Sequence, residues 1–128
     1  MITGTHAIIY ARDADRARAF FRDVLGMANV DAHGGWLIFK LPPAELGIHP
    51  AAAGSEGEAG AAGSGRHEVY LMCDDIDATV AELSARGAEF TGPVADRGFG
   101  LLTIMRVPGG GELGLYQPKH PTAHDLDH

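Results

Sequence analysis

The chain carries one arrangement of residues twice, and this internal repeat constrains the fold more than any other feature. The first copy has an apolar run, then Asp13, then a helix-like stretch that ends at Gly26. The second has an apolar run, then Asp75, then a stretch that ends at Gly87. Repetition of a whole supersecondary unit predicts two like modules that pack together. Because two such modules enclose a concave surface, we expect the functional site between them.

The two copies also end alike, with Glu-Leu-Gly-Ile-His at residues 45–49 and Glu-Leu-Gly-Leu-Tyr at residues 112–116. Between them, residues 51–65 contain no large apolar side chain, which is typical of a flexible linker. We therefore predict a single domain made of module 1 at 1–50, the linker at 51–65, module 2 at 66–118 and a tail at 119–128.

Composition excludes several classes of partner. A net charge of -7 with no cluster of basic residues argues against nucleic acid and anionic membranes, which attract basic surfaces. No apolar stretch is long enough to span a bilayer, and residues 1–6 do not form an export signal, so we expect a cytoplasmic protein. The single cysteine, Cys73, excludes an intramolecular disulfide and is expected to be a small buried hydrophobe.

Hydrophobic patterning predicts the same order of elements in each module. Asp13 and Asp75 are good helix N-caps, and Gly26 and Gly87 stand where helices usually stop. Module 1 reads as a strand at 6–11, a helix at 14–25 and strands at 27–32, 35–41 and 44–49. Module 2 reads as a strand at 67–73, a helix after Asp75 and strands at 89–94, 101–107 and 112–116, with the last turn at 108–111.

This layout resembles the vicinal oxygen chelate superfamily, which includes glyoxalase I, extradiol dioxygenases, fosfomycin resistance enzymes and bleomycin resistance proteins. The resemblance rests on His6 opening the first strand, an Asp capping each helix and a Pro-Gly-Gly turn before the last strand, and it covers residues 5–118. It implies an α+β fold in which paired βαβββ modules form a U-shaped mixed sheet, with the helices outside. It also implies a small-molecule cavity inside and a homodimer.

In metal-dependent members, the resemblance implies ligands from the first and last strands of each module. His6 and Glu68 match the first-strand positions, each seven residues before its helix cap. Gly47 and Gly114 stand where those members commonly carry a Glu ligand, so half of the usual set is missing. A divalent metal held by His6 and Glu68 is therefore one hypothesis, and no nucleotide cofactor is expected.

Several alternatives stay open for the metal candidates and their neighbours. His6 is either a ligand or general base, or a polar residue at the mouth of a cavity. A shifted register would place His67 at the ligand position instead of Glu68. Glu45 and Glu112 each follow a turn, where a solvated carboxylate is the usual outcome.

Aromatic residues supply the candidates for substrate contact, because a polar tip on an apolar body suits a mixed pocket. Phe99 lies between two glycines, in a loop that can fold over a ligand. Strand-end packing and ordinary hairpin packing are the alternative explanations for these side chains. The substrate-binding candidates are His49, Tyr116, Trp36, Tyr10, Tyr70 and Phe99.

These features support two hypotheses about function. The first is a metal-dependent enzyme, a lyase or dioxygenase, acting on a small oxygenated molecule. The alternative is a metal-free protein of the bleomycin-resistance type that binds and sequesters a small molecule. A third and weaker hypothesis is a protein that binds no ligand and interacts with a partner protein. His120, His124 and His128 lie in a tail that we expect to be disordered or loosely docked.

Overall fold

The computed structural model describes residues 6–48 and 67–127. The predicted linker at 51–65 and the candidate His49 lie outside the described residues. The helices are α1 (Ala14–Ala19), which continues as a π-helical turn over Phe20–Val24, and α2 (Ile76–Ala85). The strands are β1 (Asn29–Asp31), β2 (Leu37–Phe39), β3 (Tyr70–Met72), β4 (Ala95–Asp96), β5 (Gly100–Val107) and β6 (Gly111–Pro118).

The helices begin and end where the sequence predicted. The carboxylates of Asp13 and Asp75 each accept a hydrogen bond of 3.1 Å from the backbone N–H three residues further on. Gly26 and Gly87, just past the helices, have φ values of 69° and 99°, which only glycine adopts readily. The repeated Asp and Gly residues thus give both modules the same helix boundaries.

Module 2 forms a four-stranded sheet in the order β3-β6-β5-β4. Strands β5 and β6 make an antiparallel hairpin that is paired from Gly100–Pro118 to Val107–Gly111. Strand β3 lies parallel to β6 on its other side. The hairpin closes through the predicted turn, in which Gly109 has a φ of 75°.

The predicted strand at 89–94 is mostly wrong. Residues 89–91 pair with β5 through the Phe90–Met105 bridge and two backbone hydrogen bonds, and the short strand β4 follows at 95–96. Gly92 and Pro93 explain the interruption, because glycine weakens a strand and proline has no N–H to donate to a neighbour. The outer edge of this sheet is consequently short.

Module 1 pairs fewer strands than predicted. Strands β1 and β2 form an antiparallel ribbon, with Val30 opposite Ile38. The predictions of strands at 6–11 and 44–49 are wrong for the described residues, since segments 6–11 and 44–48 are irregular and largely exposed. Neither segment joins a ladder within the described chain. Extended backbone needs a hydrogen-bonding neighbour to form a strand, and within residues 6–48 and 67–127 these two segments pair with no strand.

The α+β fold class is confirmed, and its core joins the two modules. Met105, Leu113 and Ile76 are the largest fully buried side chains, and all three belong to module 2. Phe20 and Phe21 of module 1 complete the same apolar cluster. Helix α1 is attached to the module 2 hairpin, because the Asp13 N–H donates to the Gly109 carbonyl oxygen at 2.9 Å. Within the described residues, no helix has the length and apolar character that crossing a membrane requires.

Candidate functional site

The candidate site lies on the face of the module 2 sheet opposite the core. Side chains alternate between the two faces of a strand, so buried Leu113 and Leu115 on β6 place Gly114 and Tyr116 on the other face. Tyr70 shares that face, because it is the registered neighbour of Gly114 across the β3–β6 pair. This open face carries an unusual density of aromatic rings.

Four of these side chains form a set that we call the ring cluster: Tyr70, Phe99, Tyr116 and His120. Tyr116 is at its centre, with ring centroids 6.2 Å from Tyr70, 5.8 Å from Phe99 and 5.8 Å from His120. These separations are those of interacting aromatic pairs. Tyr70 remains 41% exposed and Phe99 55% exposed, so the cluster presents ring surface to solvent.

Two glycines let the tyrosine rings lie against the sheet. A methyl group placed on Gly114 would overlap Cδ1 and Cε1 of the Tyr70 ring. A methyl group on Gly100 would lie 2.6 Å from Cε1 of Tyr116. Glycine within a strand often marks such a close approach. The aromatic surface thus depends on the lack of a side chain at Gly100 and at Gly114 as much as on the rings themselves.

Hydrogen bonds hold the tyrosine hydroxyls. The Tyr116 hydroxyl donates to the Phe99 carbonyl oxygen at 3.3 Å, and the Tyr70 hydroxyl donates to Oε2 of Glu68 at 2.7 Å. Burial, and to a lesser extent the negative charge of Glu45, raises the pKa of Tyr116 above its ordinary value. Tyr116 is therefore a neutral hydrogen-bonded phenol at neutral pH, suited to contact a ligand rather than to act as a base.

The start of the C-terminal tail is fixed beside the ring cluster. Lys119 Nζ lies 2.7 Å from Oδ2 of Asp96, and the Lys119 N–H donates to the Phe99 carbonyl oxygen at 2.9 Å. Hydrogen bonds from Lys119 and from the Gly98 N–H lower the pKa of Asp96, so this carboxylate stays ionised at neutral pH. The tail is therefore docked at Lys119, which agrees with the loose-docking alternative.

Glu45 connects the tail to module 1. Its Oε2 accepts a hydrogen bond of 2.7 Å from the Ala123 N–H, and its Oε1 lies 3.8 Å from Nε2 of His120. The side chain of Glu45 is only 18% exposed. The expectation of a solvated carboxylate is therefore wrong for Glu45, because the tail folds back over it. Glu112 is exposed, as expected.

The predicted metal ligands do not form a metal site among the described residues. His6 is exposed, and the Glu68 carboxylate accepts the hydrogen bond from Tyr70. In residues 6–48 and 67–127, no three His, Cys, Asp or Glu side chains are grouped as a metal ion requires. The Tyr70 ring covers Gly114, where metal-dependent members of the resembled family carry a Glu. The donor set that the structure describes does not fit a divalent ion.

The structure brings some of the predicted substrate-contact residues together and leaves others apart. Tyr70, Phe99 and Tyr116 come together, as described above. Trp36 instead packs near His33, with the Arg18 guanidinium 4.9 Å from its ring centroid. Tyr10 is 91% exposed in an irregular segment. Among the described aromatic contacts, none connects Trp36 or Tyr10 to the ring cluster.

Sequence reasoning missed His120 and the role of Gly100. His120 was placed in a tail without regular structure, and nothing in a single chain shows that a tail folds back onto a sheet. Gly100 was assigned to the loop before the predicted strand at 101–107, whereas the structure makes it the first residue of β5. A glycine at such a position indicates that a neighbouring group approaches the backbone.

Comparison with known proteins agrees with this architecture. The family model described as Glyoxalase/Bleomycin resistance protein/Dioxygenase superfamily matches residues 5–119. A solved structure from that superfamily, from Sphaerobacter thermophilus, is 25% identical, with a TM-score of 0.59 over 91% of this chain and 98% of that one. No curated protein matches the chain in sequence.

Two further solved structures share the fold at lower identity. TnmS3, an antibiotic binding protein from Streptomyces, is 23% identical, with a TM-score of 0.55 over 90% of this chain and all of that one (100%). A lactoylglutathione lyase from Agrobacterium tumefaciens is 21% identical, with a TM-score of 0.53 over 89% of this chain and 95% of that one. Together with the family match, the paired helix caps and the module 2 sheet show that this chain belongs to the glyoxalase/bleomycin resistance protein/dioxygenase superfamily.

Proposed function

We propose that this protein binds and sequesters a planar aromatic small molecule on the ring cluster, without a metal ion. The observation that carries the proposal is the Tyr70 ring lying over Gly114. Metal-dependent members of the family present a carboxylate ligand at that position, whereas this chain presents an aromatic surface. Such a surface binds by stacking and burial of apolar area, which require no reaction.

The charges around the ring cluster favour a neutral or cationic ligand. Glu45 and Glu68 lie beside it, and the chain has a net charge of -7. Tyrosine rings attract cations placed over their faces, and carboxylates at the rim add to that attraction. The same negative charges would repel an anionic aromatic compound.

Binding of drug-like compounds is known for a protein of the same fold. TnmS3 is an antibiotic binding protein, and its structure covers nearly the whole of this chain. At 23% identity, that likeness concerns the fold, so the proposal rests on the ring cluster itself. The lyase with the same fold is the corresponding precedent for the enzyme hypothesis.

Calorimetric titration with two dyes tests the proposal. We expect the planar cation acridine orange to bind the wild type more tightly than the anion 8-anilinonaphthalene-1-sulfonate. Tyr70→Ala should weaken acridine orange binding by about 1 kcal/mol or more, since it removes a ring from the surface. Trp36→Ala is the matched control, because its ring lies outside the ring cluster. Equal loss in both variants, or no binding by the wild type, would contradict the proposal.

Metal analysis separates this proposal from the metal-dependent alternative. The protein would be purified without chelators, supplemented with divalent ions and analysed beside His6→Ala and Glu68→Ala. Sequestration without metal predicts no stoichiometric ion in any of the three. A stoichiometric ion in the wild type that both variants lose would establish the enzyme hypothesis, and lyase and dioxygenase assays would follow.

We also propose that the protein is a homodimer. The segments 6–11 and 44–48 expose large apolar side chains, with Tyr10 91%, Leu46 83% and Ile48 90% exposed. An exposed patch of large apolar side chains is a mark of a protein association site, and this exposure supports the proposal. Light scattering after gel filtration should give twice the chain mass, and Ile48→Asp should shift the protein toward monomer. A monomeric wild type at micromolar concentration would refute the dimer.

The single cysteine, Cys73, supports a proposal about the cellular compartment. Its thiol is half-buried, and burial raises its pKa above the ordinary value, so little reactive thiolate forms at neutral pH. A single free cysteine is typical of proteins in a reducing compartment. We propose a cytoplasmic location, which cell fractionation would test.

A further inference from the structure

The tail between Lys119 and Asp127, which we call the strap, crosses the edge of the ring cluster and is attached at two points. Near its start, Lys119 pairs with Asp96 at 2.7 Å. Four residues later, the Ala123 N–H donates to Glu45 at 2.7 Å. The His120 ring lies between these attachments and faces Tyr116 with an interplanar angle of 30°.

The orientation of His120 is itself fixed. Its Nδ1 lies 2.7 Å from the Pro121 carbonyl oxygen, a separation at which the ring nitrogen donates to that oxygen. The opposite nitrogen, Nε2, is directed toward Glu45 at 3.8 Å. A ring that is held by this one hydrogen bond and lies beside Tyr116 has restricted freedom to rotate. It is therefore a preorganised surface, which binds a ligand with a smaller loss of conformational entropy.

The strap leaves the remaining rings accessible. Tyr70 is 41% exposed and Phe99 55% exposed with the strap in place. A plug that blocked the site would cover those rings. The strap instead lies against Tyr116 and adds a fourth ring at its side, so it extends the binding surface without closing it.

We infer that the strap is one wall of the ligand site and that His120 is a ligand-contacting, specificity-determining residue that favours planar aromatic compounds. This inference rests on the proposed function, since it identifies an additional part of the same site. It concerns residues that lie beyond the repeated modules. A planar ligand would contact Tyr70 and Phe99 on the sheet and His120 on the strap.

Two pairs of variants in the full chain test the strap by titration with acridine orange. His120→Ala should weaken binding about three- to tenfold, the range for one aromatic contact, whereas His120→Phe keeps a ring and should stay within about twofold of the wild type. Lys119→Glu places like charges at the Asp96 attachment and should weaken binding about two- to fivefold, although Lys119 is outside the ring cluster. Lys119→Arg keeps the ion pair and is its matched control.

The outcomes separate this inference from the proposed function. Losses confined to His120→Ala and Lys119→Glu would support the strap as a wall. Unchanged affinity in both, with the wild type binding the dye, would overturn the strap and leave the proposed function standing. Tighter binding in Lys119→Glu of an uncharged planar dye, which the added negative charge does not attract, would also overturn it, because the strap would then obstruct the site. A wild type that binds no dye would overturn both, and circular dichroism of each variant excludes misfolding as the cause.

Discussion

Module 2 pairs its strands into a four-stranded sheet, whereas the described part of module 1 pairs only a two-stranded ribbon. Both modules have the same helix caps, the same glycine stops and the same Glu-Leu-Gly pattern near their ends. The repeat therefore sets the helices equally in both modules. Strand pairing must depend on something that the two copies do not share.

The turn before the last strand is that difference. In module 2, Pro108–Gly109–Gly110 closes a tight hairpin, with the Gly110 N–H donating to Val107 at 2.8 Å. In module 1, Pro42 and Pro43 occupy the corresponding connection, and neither has an N–H to donate. Residues 44–48 after them are irregular and largely exposed. Alternating apolar residues thus form a paired strand only where the turn brings the two strands into register.

Core substitutions should show the largest difference between the modules. Met105 in module 2 is fully buried at 0% exposure, so Met105→Ala should lower the free energy of unfolding by about 2–5 kcal/mol. Val30 in module 1 is 65% exposed, so Val30→Ala should change it by no more than about 0.5 kcal/mol. Chemical denaturation measures both. Comparable losses would mean that the module 1 ribbon is buried in solution, for example in a dimer interface.

The equivalent glycines give a second contrast. Gly114→Glu should displace the Tyr70 ring, destabilise the protein by about 1–3 kcal/mol and abolish acridine orange binding. At Gly47, the matching position of module 1, an added Cβ meets no atom of the described residues within 4 Å, so Gly47→Glu should leave stability and binding close to wild type. Thermal unfolding and titration measure the two effects. Equal tolerance at both positions would show that Tyr70 does not lie over Gly114.

The helix caps should show no difference. Asp13→Ala and Asp75→Ala each remove a side-chain hydrogen bond of 3.1 Å, so each should lower the free energy of unfolding by about 1 kcal/mol. Asp77→Ala removes an exposed carboxylate that is not the cap and is the control. A much larger loss at one cap would indicate that only that module limits the stability of the whole chain.

The smallest expected effect is the pH dependence of the attachment between Lys119 of the strap and Asp96. The hydrogen bond from Lys119 lowers the pKa of Asp96 below its ordinary value of 3.8. This attachment is therefore fully present above that value and is lost as the pH falls through the lowered pKa of Asp96. The amide resonance of Lys119, whose side chain makes this attachment, should follow that titration in nuclear magnetic resonance spectra. In Asp96→Asn, this amide resonance should no longer change with pH over that range. An unchanged titration curve in Asp96→Asn would assign the transition to another carboxylate.

Local features of the fold could be predicted from the sequence, and non-local ones could not. Asp13, Asp75 and the glycines after the helices act through neighbouring residues, so single-sequence patterns located them correctly. The contact of Tyr70 with Gly114 joins residues that are far apart in the chain, so no local sequence pattern indicates it. The approach of His120 to Tyr116 depends on how the tail folds back, and no periodicity encodes that.

The fit of Tyr70 over Gly114 also makes the two positions epistatic. Any side chain at residue 114 requires the ring at residue 70 to move or shrink first, so the cost of changing one depends on what the other already is. A lineage that lost or gained a carboxylate at residue 114 would have had to alter both positions. The order of those two substitutions would decide whether each intermediate still folded.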